Sequence, residues 1–165
     1  MEALKGTTLS SPQYIHPRGD PGVVVTRDPH SLASRMERAR YLAHRGKRIL
    51  YVDYSGIRTV EELEEAARQA TSMVQAEPPN SVLALLDLNG VPFGLRLVRM
   101  LGEAAAANVD FVRARAVVGL PETERPTLGA VADFTGRPLE AFQSTEAALD
   151  WLVSHAPEEP ESDRR

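Results

Sequence analysis

The chain has 165 residues, of which 42% are hydrophobic and 25% charged, with a formal net charge of −4 and no cysteine. The lack of cysteine excludes disulfide bonds, thiol nucleophiles and cysteine-ligated metals, and it suits a reducing cytoplasm. No apolar run approaches the roughly 18–20 residues that span a bilayer, so we predict a cytoplasmic protein without membrane insertion.

Residues 1–36 are predicted to form an extended or partly disordered leader, because prolines interrupt any long element. The first fifty residues carry nine Lys/Arg against four Asp/Glu. The basic residues interleave with apolar ones and no stripe of aromatic residues accompanies them, so we expect a solvated face and no nucleic-acid binding. Residues 23–25, three valines, offer a strand for self-association through an exposed sheet edge.

A β-hairpin opens the predicted domain, which extends over residues 37–156. Strands over 38–43 and 48–54 are predicted from their β-forming residues, and Gly46 in the intervening turn accepts positive φ. A helix over 31–43 is the alternative, since Ala, Arg, Met and Glu favour helices. We prefer the strand, because the second strand needs a partner and the turn supplies one.

Helix and strand signals alternate after the hairpin. Thr59 and Glu62 form a capping box, and apolar residues then recur at helical spacing until Pro78. The short apolar run over residues 81–87 predicts a central strand that is covered on both faces.

The second half of the chain continues the alternation. The predicted elements are a helix with Pro92 in its first turn, a strand over 109–120, a helix over 123–134, an edge strand over 139–142 and a helix capped by Ser144. The residues of the last helix predicted to face inward are Ala147, Ala148, Trp151 and Leu152. Residues 157–165 are acidic and contain proline, which predicts a flexible tail.

Five segments carry a family resemblance: GKRILYVDYSG (46–56), LDLNG (86–90), AVVGL (116–120), FTGR (134–137) and FQSTEAALDWL (142–152). Their order resembles the STAS, or SpoIIAA-like, domains of anti-sigma-factor antagonists, most of all an uncharacterised bacterial branch labelled STAS/SEC14-like. The resemblance implies a single-domain α/β sandwich whose mixed sheet of about five strands is opened by the hairpin, with about four helices predominantly on one face. It also implies a non-enzymatic, regulatory protein–protein interaction module without a cofactor.

In the best-known members of that family, a Ser or Thr between the third strand and the second helix is phosphorylated by a partner kinase. The corresponding position here holds Asn89, which has neither a hydroxyl group nor a phosphate-like charge. The resemblance therefore implies a surface for a protein partner without the phosphoswitch. The partner-binding residues that it implies are Asp87, Asn89, Gly90, Val91 and Phe93.

Asp53 and Asp87 are predicted at the carboxyl ends of neighbouring strands, where open α/β sheets bind ligands. Such a pair could hold a divalent cation, as in phospho-receiver domains, but the adjacent acidic pair and the late lysine of a receiver are absent, so we predict no metal site. The alternative is that both carboxylates accept hydrogen bonds from backbone amides in turns.

Ser55 and Gly119 complete the candidate ligand contacts. Ser55 lacks a glycine-flanked elbow and a triad partner, so a turn or cap role is predicted instead of a nucleophile, and no catalytic residue is predicted. Gly119 precedes a helix whose amides suit a phosphate, or it forms a plain strand-to-helix turn. Arg96 and Arg99 on the second helix either attract an acidic partner or lie on a solvated face.

A second hypothesis comes from the SEC14-like side of the resemblance, which implies a small-molecule or lipid carrier. A carrier requires an enclosed apolar pocket on the order of several hundred cubic ångströms. A short chain with alanine-rich helices leaves little room for such a pocket.

Overall fold

The computed structural model describes residues 37–158. The expectations for the leader and for most of the acidic tail therefore lie outside the described residues. The strands are β1 (Ala39–His44), β2 (Lys47–Asp53), β3 (Val82–Asp87), β4 (Val112–Val118) and β5 (Leu139–Phe142). They form one sheet in the order β1-β2-β3-β4-β5, in which β1 is antiparallel to β2 and the other neighbours are parallel.

Within residues 37–158, four α-helices cover the sheet. They are α1 (Val60–Gln75), α2 (Leu95–Ala107), α3 (Arg125–Thr135) and α4 (Thr145–Ser154), with a 3₁₀ turn at Glu122–Glu124. Helices α1, α2 and α3 pack on one face and α4 on the other. The predicted α/β sandwich with a mixed sheet, an opening hairpin and helices predominantly on one face is confirmed. No helix within residues 37–158 is long and apolar enough to cross a membrane.

The alternation of side chains along the strands produces two apolar cores. Leu50 and Val52 belong to the core under α1, α2 and α3, whereas Ile49 belongs to the core under α4. The predicted central strand β3 contributes to both faces, with Leu85 fully buried. Burial of one such leucine contributes about 1.5–3 kcal/mol.

The hairpin turn has the geometry that its sequence predicts. Arg45 and Gly46 both have positive φ, 48° and 77°, which is the two-residue turn that matches the twist of the strands. Asp150 of α4 contacts this turn. Its carboxylate is 2.7 Å from His44 Nε2 and accepts a hydrogen bond of 3.0 Å from Arg45 Nη2.

The predicted helix caps are confirmed at two places. Thr59 caps α1 by accepting a hydrogen bond from the backbone N–H of Glu62 at 3.3 Å. Ser144 caps α4 in the same way. Gly136 ends α3 in the left-handed conformation, at φ 62°.

Three local predictions were wrong. Pro92 does not lie in the first turn of the second helix, because α2 begins only at Leu95, after a loop whose Val91 and Phe93 pack against the core. The strand predicted over 109–120 is shorter, because backbone bonds to the Asn108 carbonyl make a turn before β4.

The inward face of the last helix is also narrower than predicted. Ala148 and Leu152 are fully buried and Trp151 is half-buried, as expected, but Ala147 is exposed. Ala148 and Leu152, four residues apart, share the face that meets the sheet, whereas Ala147 and Trp151 lie at the edge of that face, from which only the long Trp151 side chain reaches the core.

Candidate functional site

Three loops leave the sheet at the carboxyl ends of β2, β3 and β4. Asp53 lies opposite Asp87 in the parallel register, and Asp87 lies opposite Val118. The structure thus brings together the two carboxylates that the sequence singles out, at the edge where open α/β sheets bind ligands.

Each of these aspartates closes a turn in its own loop. Asp53 Oδ1 accepts hydrogen bonds from the backbone N–H and the hydroxyl of Ser55, at 2.9 and 2.5 Å. Asp87 Oδ1 accepts hydrogen bonds from the backbone N–H and the side-chain amide of Asn89, at 3.0 and 2.7 Å. The alternative in which the carboxylates bind nearby backbone amides therefore describes both turns.

The two loops repeat one sequence pattern: Asp, any residue, Ser or Asn, Gly and an aliphatic residue, over residues 53–57 and 87–91. We call these ten residues the paired turns. Gly56 and Gly90 occupy equivalent positions with positive φ, 67° and 73°. The repeat is readable in the sequence, but nothing in the sequence alone shows that the two copies lie side by side.

Backbone hydrogen bonds tie the paired turns to each other. Gly56 N–H donates to the Asn89 carbonyl at 2.9 Å, and Tyr54 N–H donates to the Asp87 carbonyl at 3.0 Å. Leu88 N–H donates to the Val118 carbonyl, at 2.9 Å, which continues the ladder into β4. The loops are thereby held in one fixed arrangement.

Gly119 lies against the second of the paired turns. A Cβ at this position would be 2.4 Å from the backbone nitrogen of Asn89, and φ is +80°. The close approach and the conformation both require glycine. The 3₁₀ turn Glu122–Glu124 follows and runs directly into α3, so Gly119 lies in the turn between β4 and a helix.

Arg38 and Tyr51 complete the polar surroundings, although sequence reasoning did not select them. The Tyr51 hydroxyl donates to Asp87 Oδ2 at 2.8 Å, and Arg38 Nη1 donates to the Ser55 carbonyl at 3.1 Å. Burial, followed by the hydrogen bond to Asp87, raises the pKa of Tyr51 above its ordinary value. Strand alternation is the signal that could have found Tyr51, since it lies two residues before Asp53 and therefore on the same face.

This cluster is a scaffold of hydrogen bonds. Both carboxylates are engaged by neighbouring donors, and the Ser55 hydroxyl donates to Asp53. Among residues 37–158, no three His, Cys, Asp or Glu side chains converge as a metal site would require. What the arrangement does chemically is to fix the shape of two adjacent turns.

An apolar rim adjoins the paired turns. It comprises residues 91–95, in which Val91 and Phe93 are half-buried, Pro92 is exposed and the side chain of Leu95 is 89% exposed. Gly94 begins α2 without a side-chain cap, and the first turn of α2 carries no acidic residue. The first amide groups of α2 therefore lack a side-chain partner beside an exposed leucine.

The two arginines of α2 have different surroundings. Arg99 Nε pairs with Glu103 of the same helix at 2.8 Å, which matches a solvated helix face. Arg96 is exposed in the first turn, next to Leu95.

Comparison with solved structures identifies the fold. The chain is similar to an uncharacterized protein of the DUF3478 family with a SpoIIAA-like fold from Shewanella loihica, with 17% identity and a TM-score of 0.57 over 69% of this chain and 91% of that one. It is also similar to an anti-sigma-factor antagonist (STAS) domain protein from Planctomyces limnophilus, with 16% identity and a TM-score of 0.48 over 70% of this chain and 97% of that one. No protein-family model and no curated protein matches the sequence. The chain has the SpoIIAA-like fold that its residues resemble.

Proposed function

We propose that this SpoIIAA-like domain is a non-catalytic regulatory module that binds a protein partner through its paired turns and apolar rim. The contact residues in this proposal are Asp87, Asn89, Gly90, Val91 and Phe93, with Leu95 added from the structure. The observation that carries the proposal is the exposure of Leu95, 89%, directly beside loops that are held rigidly by hydrogen bonds. We keep the cytoplasm as the proposed compartment, on the cysteine-free sequence.

Rigidity is what makes this edge suitable for recognition. A surface that is already in its binding conformation loses little conformational entropy when a partner docks, so its contacts contribute fully to affinity. The bonds from Ser55 and Asn89 to their aspartates, together with the bond from Gly56 to Asn89, supply that order. The bonds from Ser55 and Asn89 also occupy the carboxylates, which supports binding and not catalysis as the role.

The start of α2 supports a partner of defined chemistry. Uncapped amides and the positive end of the helix dipole favour a negative group, and Arg96 adds a positive charge. Leu95 and Pro92 favour an apolar group next to it. We therefore expect a partner that presents a carboxylate beside an apolar side chain.

Phosphorylation of this loop is not part of the proposal. Residues 87–94 contain no Ser, Thr or Tyr, so the loop offers no hydroxyl group to a kinase.

The carrier hypothesis has less support. The interior cavity beneath α1, α2 and α3 has a volume of about 50 Å³, whereas pockets for drug-sized ligands occupy about 300–1,000 Å³. A lipid tail does not fit into that space without separation of the helices from the sheet.

Site-specific photocrosslinking tests the proposed surface. A photoreactive phenylalanine analogue replaces Leu95 in one variant and Phe134, which is 76% exposed on α3, in a matched control. We expect a light-dependent adduct with a discrete protein from position 95 that is absent from position 134. Adducts of equal yield at both positions, or none at position 95, would contradict the proposal.

A further inference from the structure

Arg115 lies in the interior of the protein, on strand β4. Arg115 is only 7% exposed to solvent. The pairing of β4 with β3 shifts at this point, since Val82 lies opposite Val112 but Leu83 lies opposite Ala114. Arg113 is the additional residue of β4 at this irregularity, and its Nε donates a hydrogen bond to the carbonyl of His155, the residue after α4. Arg115 points instead into the layer beneath α1, α2 and α3.

The guanidinium of Arg115 has little compensation for its burial. Within the described part of the chain its one hydrogen bond runs from Nη2 to the Ala105 carbonyl, at 3.3 Å, although the group has five N–H donors. No carboxylate of residues 37–158 lies within ion-pair distance of it. Burial, followed by the like charge of Arg137, lowers the pKa of Arg115 to about 10. An unpaired buried charge lowers the stability of a fold. The Ala105 carbonyl, near the end of α2, accepts only one of the hydrogen bonds that the Arg115 guanidinium can donate.

The guanidinium lines the cavity of about 50 Å³ together with Tyr54 and Asn108. Tyr54 is 1% exposed, and it forms part of the cavity wall. The Asn108 side-chain amide donates to Thr71 Oγ1 at 3.1 Å and to the Ala104 carbonyl at 2.9 Å, which leaves its buried Oδ1 without a partner. Three buried polar side chains thus border one small space whose other walls are mostly apolar.

We propose that this cavity is a binding site for a small carboxylate anion. The carboxylate accepts hydrogen bonds from the Arg115 guanidinium and from the Tyr54 hydroxyl, and a hydroxyl group on the neighbouring carbon donates to Asn108 Oδ1. Guanidinium groups match the two oxygens of a carboxylate in geometry and charge. The volume admits a molecule of two or three carbons and excludes longer chains.

The site is separate from the proposed partner surface. Tyr54 belongs to the first of the paired turns, but its ring is buried in the core, and a ligand in the cavity needs no protein partner. A test without any partner therefore distinguishes a failure of this site from a failure of the proposed function.

Nuclear magnetic resonance of the full chain tests the site directly. The Arg115 Nε–H signal is followed during titration with sodium acetate, sodium glycolate and sodium butyrate, with sodium chloride at matched ionic strength as the control. We expect saturable shifts with acetate and glycolate in the millimolar range, tighter binding of glycolate, and no saturable shift with butyrate or chloride.

Two methionine variants locate the effect. Arg115→Met should weaken acetate binding at least tenfold, whereas Arg113→Met, the same change on the opposite face of β4, should leave the affinity unchanged. Equal affinity in Arg115→Met and the wild type would overturn the proposal. So would a wild-type titration in which the Arg115 signal does not move, a result that is decisive even if Arg115→Met fails to fold.

Discussion

The Asp87 carboxylate joins strand β2 to the second of the paired turns. One of its oxygens closes the turn with Asn89 and the other accepts the hydroxyl of Tyr51. Its own carbonyl accepts the amide of Tyr54 from the neighbouring loop. A change at this carboxylate therefore affects the second of the paired turns and one ionisable group, whereas the backbone bond to the first turn remains.

Tyr51 reports on the Asp87 carboxylate. The folded protein holds the Tyr51 proton more tightly than the unfolded chain, whose pKa is the ordinary 10.0, because burial and Asp87 disfavour the phenolate. The stability that this contributes is present below pH 10.0 and is lost as the pH rises through the raised value. We predict that Asp87→Asn lowers the pKa of Tyr51 toward 10.0, as measured by tyrosinate absorbance against pH.

The variant Tyr51→Phe identifies which alkaline transition belongs to Tyr51. Absorbance curves that superimpose for Asp87→Asn and the wild type would show that the hydrogen bond does not determine this ionisation.

Gly119 provides a test of the contact between the second and third loops. Gly119→Ala places a Cβ 2.4 Å from the nitrogen of Asn89, in addition to the strain of positive φ. Gly56→Ala is the matched control, because Gly56 also has positive φ but open space around it. We predict that Gly119→Ala lowers the free energy of unfolding by about 2 kcal/mol more than Gly56→Ala, whose strain costs about 1–2 kcal/mol. Chemical denaturation measures both, and equal losses would contradict the contact.

At the scale of elements, the helices differ in how they begin. Thr59 and Ser144 cap α1 and α4 with their side-chain oxygens, whereas α2 starts at Gly94 without a cap. Nothing in the space around Gly94 prevents a side chain there. Helix α3 also begins without a side-chain cap, so the start of α2 is distinguished by its place beside the apolar rim, where the proposed partner's carboxylate would bind.

The variant Gly94→Asp should change the stability of the domain and its binding of a partner in opposite directions. The backbone of Gly94 is extended, with φ at 176°, so an aspartate fits and caps α2. We predict a gain of about 0.5–1 kcal/mol in the free energy of unfolding, together with weaker capture of the partner, because the new carboxylate competes for the same amides. Denaturation and crosslinking from position 95 measure the two effects. A more stable variant with undiminished crosslinking would show that the helix start is not part of the surface.

The sequence predicts most elements because their signals are local. The capping box at Thr59, the apolar run of β3 and the turn residues of the hairpin each depend on a few neighbouring residues. The start of α2 was mispredicted because Pro92 suits a first helical turn locally, whereas the packing of Val91 and Phe93 delays the helix.

The candidate site could be predicted only in part, because some of its contacts depend on how the strands pair. Asp53 and Asp87 could be selected as strand ends, but the hydrogen bond from Tyr51 depends on the register between β2 and β3. The burial of Arg115 could not be expected from the sequence, because arginine is seldom buried and the irregular pairing in β4 changes which face its side chain occupies.

In the molecule as a whole, the two faces of the sheet form the packed core, and one edge of the sheet carries the paired turns. Helix α4 closes one face, and the three remaining helices close the other around the small cavity. The edge with the paired turns is left to the loops. Because a fold at this level of similarity hosts many functions, the loop residues and not the architecture determine what this chain binds.

The most direct test of the partner surface is quantitative affinity purification from native cytoplasm with the wild type, Asn89→Arg and Asn89→Ser. Serine preserves the turn, as Ser55 does at the equivalent position, whereas arginine adds a bulky charge at the centre of the surface. We predict that one or a few proteins are recovered with the wild type and Asn89→Ser and are lost with Asn89→Arg, while circular dichroism shows all three folded alike. The same proteins recovered with folded Asn89→Arg at wild-type yield would contradict the account.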